Sequence, residues 1–141
     1  MSSAWATWPM PNPASATLPN PASYTVEGDT VKDNVTGLVW QRTVPTQTYD
    51  WAGAKAYCAS LSLGGLTEWR LPSRIELVSL VDFTKFDPSI DTTAFPSTPS
   101  SVFWSSSPVA VYGGAWYVDF HDGGTYSGGA SSHYHAVRCV R

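Results

Sequence analysis

The sequence predicts an α+β fold built as one domain, and three observations carry that prediction. Two helical patterns, each with an N-terminal cap, lie between Asp50 and Asp82. From Asp87 onward the apolar runs are short and separated by Ser, Gly and Pro, as in strands joined by turns. Helices and strands are thus segregated along the chain, where an α/β fold would alternate them. A length of 141 residues suits one core and is too short for two independent ones.

The elements follow in order. Residues 1–23 form a Pro-rich lead-in, in which Pro9, Pro11, Pro13, Pro19 and Pro21 favour an extended path along the domain over a helix. The domain proper is expected over 24–141. In "GDTVKDNVTGLVWQR", Thr30 and Val31 run into the polar Lys32-Asp33-Asn34, and Thr36-Gly37 precede Leu38-Val39-Trp40. That pattern spells a hairpin with Trp40 pointing into the core. Asp50 stands before Trp51, Ala54, Cys58 and Leu61, which recur at helical spacing, so it caps a helix carrying Cys58 on its buried stripe. "GGLTEWRLP" breaks that helix. Ser73 and Glu76 make a capping box for a second helix, which is expected to run to about Asp82 with Ile75, Leu77, Val78, Leu80 and Val81 as its apolar face. The later runs "SVFWSSS", "AWYVDF" and "AVRCV" read as strands. In "AWYVDF", alternation puts Trp116, Val118 and Phe120 on one face and Tyr117, Asp119 and His121 on the other.

Charge narrows the range of partners. The net charge is -3, with 8 Lys and Arg and no basic run, which argues against nucleic acid or an anionic membrane surface as the main partner. No stretch approaches the roughly 20 apolar residues of a membrane span. The first residues lack a signal-peptide pattern, and the chain reads as part of an exported protein whose signal or upstream region lies outside this sequence. Charged residues make up 13% and aromatics another 13%, with 7 Trp and 7 Tyr, so the surface is suited to stacking and hydrogen bonding. Cys58 and Cys139 are even in number and belong to no CxxC or Cys/His cluster. A disulfide between them is expected, with a free buried pair as the alternative.

Candidate chemistry is sparse. His133 and His135 would share one face of a strand and could supply two metal ligands, with His121, Asp119 or Asp122 as a third. Lacking a third ligand at a fixed spacing, they read instead as part of a polar loop, and no metal or cofactor is expected. Asp82, Asp87 and Asp91 do not fit a calcium loop and suit turns or caps. There is no Gly-x-Ser-x-Gly elbow, no His-Glu-x-x-His and no phosphate loop, so no catalytic residues are assigned and an enzyme is not expected. Trp104, inside an apolar strand, reads as core, and Ser105, Ser106 and Ser107 as satisfiers of backbone groups in the following turn. Arg70 and Arg138 are expected to fix loop carbonyls.

The stretches "DNVTGLVWQR", "WAGAKAYC", "WRLPSRIELVSLVD", "FWSSSP" and "VRCVR" stand in an order that resembles a bacterial C-type-lectin-like domain. That domain is found at the C-terminus of the Legionella collagen-like adhesin and in many exported proteins. The resemblance covers Tyr24 to Arg141. It implies a C-type-lectin-like fold with two helices, a small antiparallel sheet, pairing of the N- and C-terminal strands and a long loop-rich C-terminal half. It also implies that Cys58 on the first helix bonds Cys139 on the last strand. "WRLPS" is similar to a motif of the formylglycine-generating enzymes, but the reactive cysteines of that branch have no counterpart here. The calcium-dependent sugar motifs of animal lectins are absent as well.

From Asp87 to Arg141 there is no Lys, Glu, Gln, Met or Asn, while Ser, Gly, Tyr, His and Asp abound. This is the composition of adaptable binding loops. Except for Trp116, each residue from Val109 to Arg141 can be written with a codon ending in a pyrimidine. The segment therefore resembles the variable C-terminal part of retroelement-diversified C-type-lectin proteins. The expected function is non-catalytic recognition of a protein or glycan at the cell surface or outside the cell, through loops from Val109 to Ala136. Tyr112, Tyr117, Tyr126 and Tyr134 would be the aromatic contacts, and His121, Asp122, Ser127, His133 and His135 the polar ones. The alternative, which the resemblance allows, is an adhesin head that assembles, for instance as a trimer, and grips polyanionic glycans; an oligomer is compatible with either.

Overall fold

The expected hairpin forms as β2 (Thr30–Asp33) and β3 (Val39–Gln41), and a strand the sequence reading did not include, β1 (Tyr24–Glu27), pairs with β2. The computed structural model describes residues 8–141, so the first seven residues of the predicted lead-in lie outside the described residues. The remaining elements are α1 (Trp51–Ser60), α2 (Arg74–Val78), β4 (Val102–Pro108), β5 (Gly114–Asp119) and β6 (Thr125–Gly129). The fold is α+β. One small sheet was expected; there are two antiparallel three-stranded sheets, ordered β1-β2-β3 and β4-β5-β6.

Both helices begin at the predicted caps. The Asp50 carboxylate accepts the backbone N–H of Gly53 at 2.8 Å, and Ala54 and Cys58 are the buried positions of α1. At α2 the capping box closes in both directions: Ser73 Oγ accepts the N–H of Glu76, and Glu76 Oε1 accepts the N–H of Ser73. The helix then ends at Val78, well short of Asp82. Leu80 and Val81 bond back to Leu77 and Val78, a tighter three-residue spacing that turns the chain while still burying both side chains. Ile75, expected on the apolar face, is exposed.

The lead-in departs from its expected extended path. The backbone N–H of Asn12 donates to Asn20 O at 2.9 Å, and Ala22 N donates back to Asn12 O at 2.7 Å, so residues 12–22 close into a loop around a 3-10 turn at Ala14–Ala16. "AVRCV" also differs from its expected form. It is a strap that bridges several elements in passing and joins neither sheet as a strand. His135 bridges Tyr49, Ala136 bridges Phe103, and Val140 bridges both Trp40 and Arg70.

The β4-β5-β6 sheet separates two apolar clusters. Phe103 and Val118, register partners, face a cluster with Trp40, Leu77, Leu80, Ile90 and Phe120. Trp104 and Ala115 face the other, which holds Ala54, Cys58, Trp69, Leu71 and Cys139. The strap alternates between them: Ala136 and Val140 belong to the first, Val137 and Cys139 to the second. Cys58 and Cys139 are bonded across a separation of 81 residues. Arg138 is fully buried, and it donates to Gln41 O, Arg42 O and Thr98 Oγ1 at 2.6 to 2.7 Å. Its guanidinium also lies 4.7 Å from the Phe95 ring centre. Burial pushes its pKa down to about 9, which leaves it charged at neutral pH. Arg70, expected to hold loop carbonyls, instead makes a two-pronged ion pair with Glu76 at 2.7 and 2.8 Å.

Candidate functional site

β6 is the outer strand of the second sheet, and its local sequence does not announce a strand. "TYSGG" is short and glycine-rich, which lowers its strand signal. The remaining signals were the turn residues Asp122-Gly123-Gly124 before it and the Thr-Tyr-Ser alternation. Its pairing with β5 sets Tyr126 beside Tyr117 and Ser127 beside Trp116. Successive residues of a strand point to opposite faces. Tyr117 and Tyr126 therefore share the face that carries Trp104, while Trp116 and Ser127 share the α2 side.

On the Trp104 side the aromatic rings form a continuous ledge. Tyr117 stands edge-on to Trp104 at 5.8 Å and lies 6.3 Å from Tyr126. His135 sits 4.5 Å from Trp104 and 4.6 Å from Tyr117, and His133 stacks on His135 at 5.8 Å. Gly128 gives this ledge its room: a Cβ there would come within 3.0 Å of Tyr117 and 3.3 Å of His133. His133 Nδ1 lies 3.1 Å from Gly129 O and 3.2 Å from Ser132 Oγ. His135 Nε2 is buried without a hydrogen-bond partner among the described residues. Burial first, then the neighbouring His133, holds the His135 pKa below the ordinary histidine value. Trp104 itself is fully buried, and its indole N–H donates to Tyr49 O at 2.7 Å, so its predicted core role holds.

On the α2 side the Tyr112 hydroxyl meets Ser127 Oγ at 2.6 Å. Trp116 carries the guanidinium of Arg74 at 4.4 Å from its ring centre, a pairing the sequence reading did not foresee because it joins residues far apart in the chain. Ser107 Oγ accepts the Arg74 backbone N–H, and Ser105 Oγ donates to Trp116 O, so these serines satisfy backbone groups, but from within β4 and on α2 and β5, where the expectation put the partners in the following turn.

The nine predicted contact residues do not form one patch. Tyr112, Tyr117, Tyr126, Ser127, His133, Tyr134 and His135 gather on β6, its two faces and the segments beside it. His121 and Asp122 sit at the β5–β6 turn, at the end of the hairpin away from Tyr112. There Asp122 Oδ1 accepts the N–H of Gly124 at 2.8 Å, while His121 Nδ1 lies 3.2 Å from Ser100 Oγ and 3.4 Å from Asp87 Oδ1. Within the gathered group, Tyr112, Tyr126 and Tyr134 expose 58%, 49% and 63% of their surface, whereas Tyr117 and His135 are half-buried supports. Among the described residues no three His, Cys, Asp or Glu side chains group to hold a metal. Asp82 and Asp91 accept backbone N–H groups two residues on, as turn residues do.

The molecule is thus a small α+β domain, closed by a disulfide, that presents tyrosines and histidines along a sheet edge. The sequence pattern of the Lcl C-terminal domain matches residues 29–141, and the chain belongs to that family. No curated protein matches it. No helix among the described residues is long and apolar enough to cross a membrane.

Proposed function

We propose that this domain is a non-catalytic recognition module that binds a protein or glycan through the β6 edge. The observation that carries this reading is the exposure of Tyr112, Tyr126 and Tyr134 around one strand, beside the half-buried Tyr117 and His135 and the buried Trp104. Half-exposed tyrosines on a rigid base offer large contact area and a hydroxyl at low entropic cost. Trp104, Tyr117 and His135 supply that base, and the strap anchors it to α1 through Cys58. The bonded cysteines support a reading without thiol chemistry. The disulfide and the family fit a location outside the cell or on its surface.

Diversification of the Val109 to Ala136 segment is the finer part of the proposal. The exposed side chains at β6 can change without touching either core cluster, whereas Ala136, Val137, Cys139 and Val140 are buried framework. Family membership favours a second reading, an oligomeric adhesin head for polyanionic glycans, in which Arg74 on Trp116 would be a cationic contact.

Protein and glycan arrays probed with the wild-type domain and with a Tyr126→Ala, His133→Ala, Tyr134→Ala triple variant test both. Loss of about 100-fold in affinity with an unchanged melting temperature is expected. Unchanged binding by the triple variant would rule out the β6 edge. Binding that collapses on adding salt, and on Arg74→Ala alone, would favour the polyanion reading.

A further inference from the structure

A cavity of about 310 Å³ opens between the closed loop of the lead-in and the segment that follows α2. That volume lies at the lower end of small-molecule sites, roughly 300 to 1,000 Å³. Pro11 and Pro13 line one wall, Leu80 another, and Tyr24, Asp82 and Asp91 supply polar groups. The proline wall lies outside residues 29–141 and Leu80, Asp82 and Asp91 lie within them, so the cavity forms where the lead-in meets the matched domain. It is also separate from the β6 edge, and neither reading depends on the other.

The donors of the lining are largely engaged: the Ser79 hydroxyl donates to Glu76 O, the Thr84 hydroxyl to Asp82 Oδ1, and the Lys85 ammonium pairs with Asp82. Asp91 spends Oδ1 on the backbone N–H groups of Thr93 and Ala94 at 2.9 and 3.2 Å, and its Oδ2 has no hydrogen-bond partner among the described residues. Asp82 spends Oδ1 on Thr84, while its Oδ2 meets only the half-exposed Lys85 ammonium, at 3.9 Å. Proline has no N–H to give, and the Asn12 side-chain amide already donates to Pro19 O. Tyr24 is packed edge-on against Phe95 at 5.2 Å, and its hydroxyl has no partner among the described residues. Burial first, then the negative field of Asp33, Asp91 and Asp82, pushes its pKa up, so it stays protonated. An anion entering here would meet two carboxylates and few donors. A cation would meet the open Asp91 Oδ2 and the Asp82 Oδ2, which it would share with Lys85, beside the proline rings.

We propose that this cavity binds a small organic cation, an amine or guanidinium on a short apolar body, with its charge at Asp82 and Asp91 and its body against Pro11 and Pro13. The test titrates the full chain with benzylamine, followed by amide chemical shifts, with benzyl alcohol as the neutral counterpart. Saturable shifts at Tyr24, Asp82, Thr84 and Asp91 by about 1 mM, and at least tenfold weaker binding of the alcohol, are expected. Asp82→Asn and Asp91→Asn keep the amide oxygen that accepts the turn N–H groups, so the fold is retained while the charge goes; each should weaken benzylamine severalfold. Absent shifts, equal binding of amine and alcohol, or unchanged affinity in both variants would overturn the proposal. The comparison of amine with alcohol on the wild-type chain decides the matter even if a variant fails to fold.

Discussion

His135 shows how one side chain can serve packing at the expense of its own titration. It is wedged between Trp104 and Tyr117, and its Nε2 is buried without a partner among the described residues. Its folded-state pKa is therefore depressed below the 6.5 of an ordinary histidine. For a base with a depressed pKa, the folded state binds fewer protons than the unfolded state, so stability is lost as pH falls through the unfolded value and on toward the folded one. Denaturation between pH 7.5 and 5 should show that loss, and His135→Phe, which keeps the ring stack without the titrating nitrogen, should flatten it. An identical slope in the variant would assign the acid sensitivity elsewhere. Arg138 makes the contrasting case. It is as deeply buried as any core residue, yet three oxygens and an aromatic face surround its charge.

At the scale of elements, caps were legible and lengths were not. Asp50 and Ser73 each place a side-chain oxygen three residues before the N–H it accepts, a relation contained wholly within the local sequence. α2 has only five residues, so its cap is a large share of what holds it. Ser73→Ala is expected to cost about 1 kcal/mol, read by chemical denaturation; a change near zero would mean that packing of Leu77 alone sustains the turn. The end of α2 was missed because Leu80 and Val81 keep an apolar spacing that reports burial, and a turn beneath the core buries them as well as a helix would. β6 was missed for the opposite reason. Its glycines leave it little side-chain signal, and pairing with β5 decides its conformation. The candidate site was legible in part for the same reason. Tyr112, Tyr126 and Tyr134 could be picked out by type, but only the register Tyr117 to Tyr126 and Trp116 to Ser127 sorted their neighbours onto faces and left His121 and Asp122 at the far turn.

For the molecule as a whole, the strap from His135 to Arg141 is the closing device. It bridges β3, β4, Tyr49 and Arg70, and its cysteine ties α1 across a separation of 81 residues. In the chain-entropy account a loop of that size stabilises the fold by about 4 kcal/mol. Reduction, or a Cys58→Ala, Cys139→Ala pair, should therefore lower the denaturation midpoint by a corresponding amount. An unchanged midpoint would show that strand bridges alone close the fold.

The sequence by itself determined the α+β class, the hairpin of β2 and β3, both helix caps, the burial of Trp40 and Trp104 and the pairing partners Cys58 and Cys139. Each of these rests on near neighbours in the chain, on side-chain type, or on there being only two cysteines. Tertiary structure alone decided that the lead-in closes into a loop and walls a cavity, that Arg74 rests on Trp116, and that seven of the nine contact residues gather at β6. Those outcomes depend on contacts between distant segments, whose energies no local pattern of residues encodes.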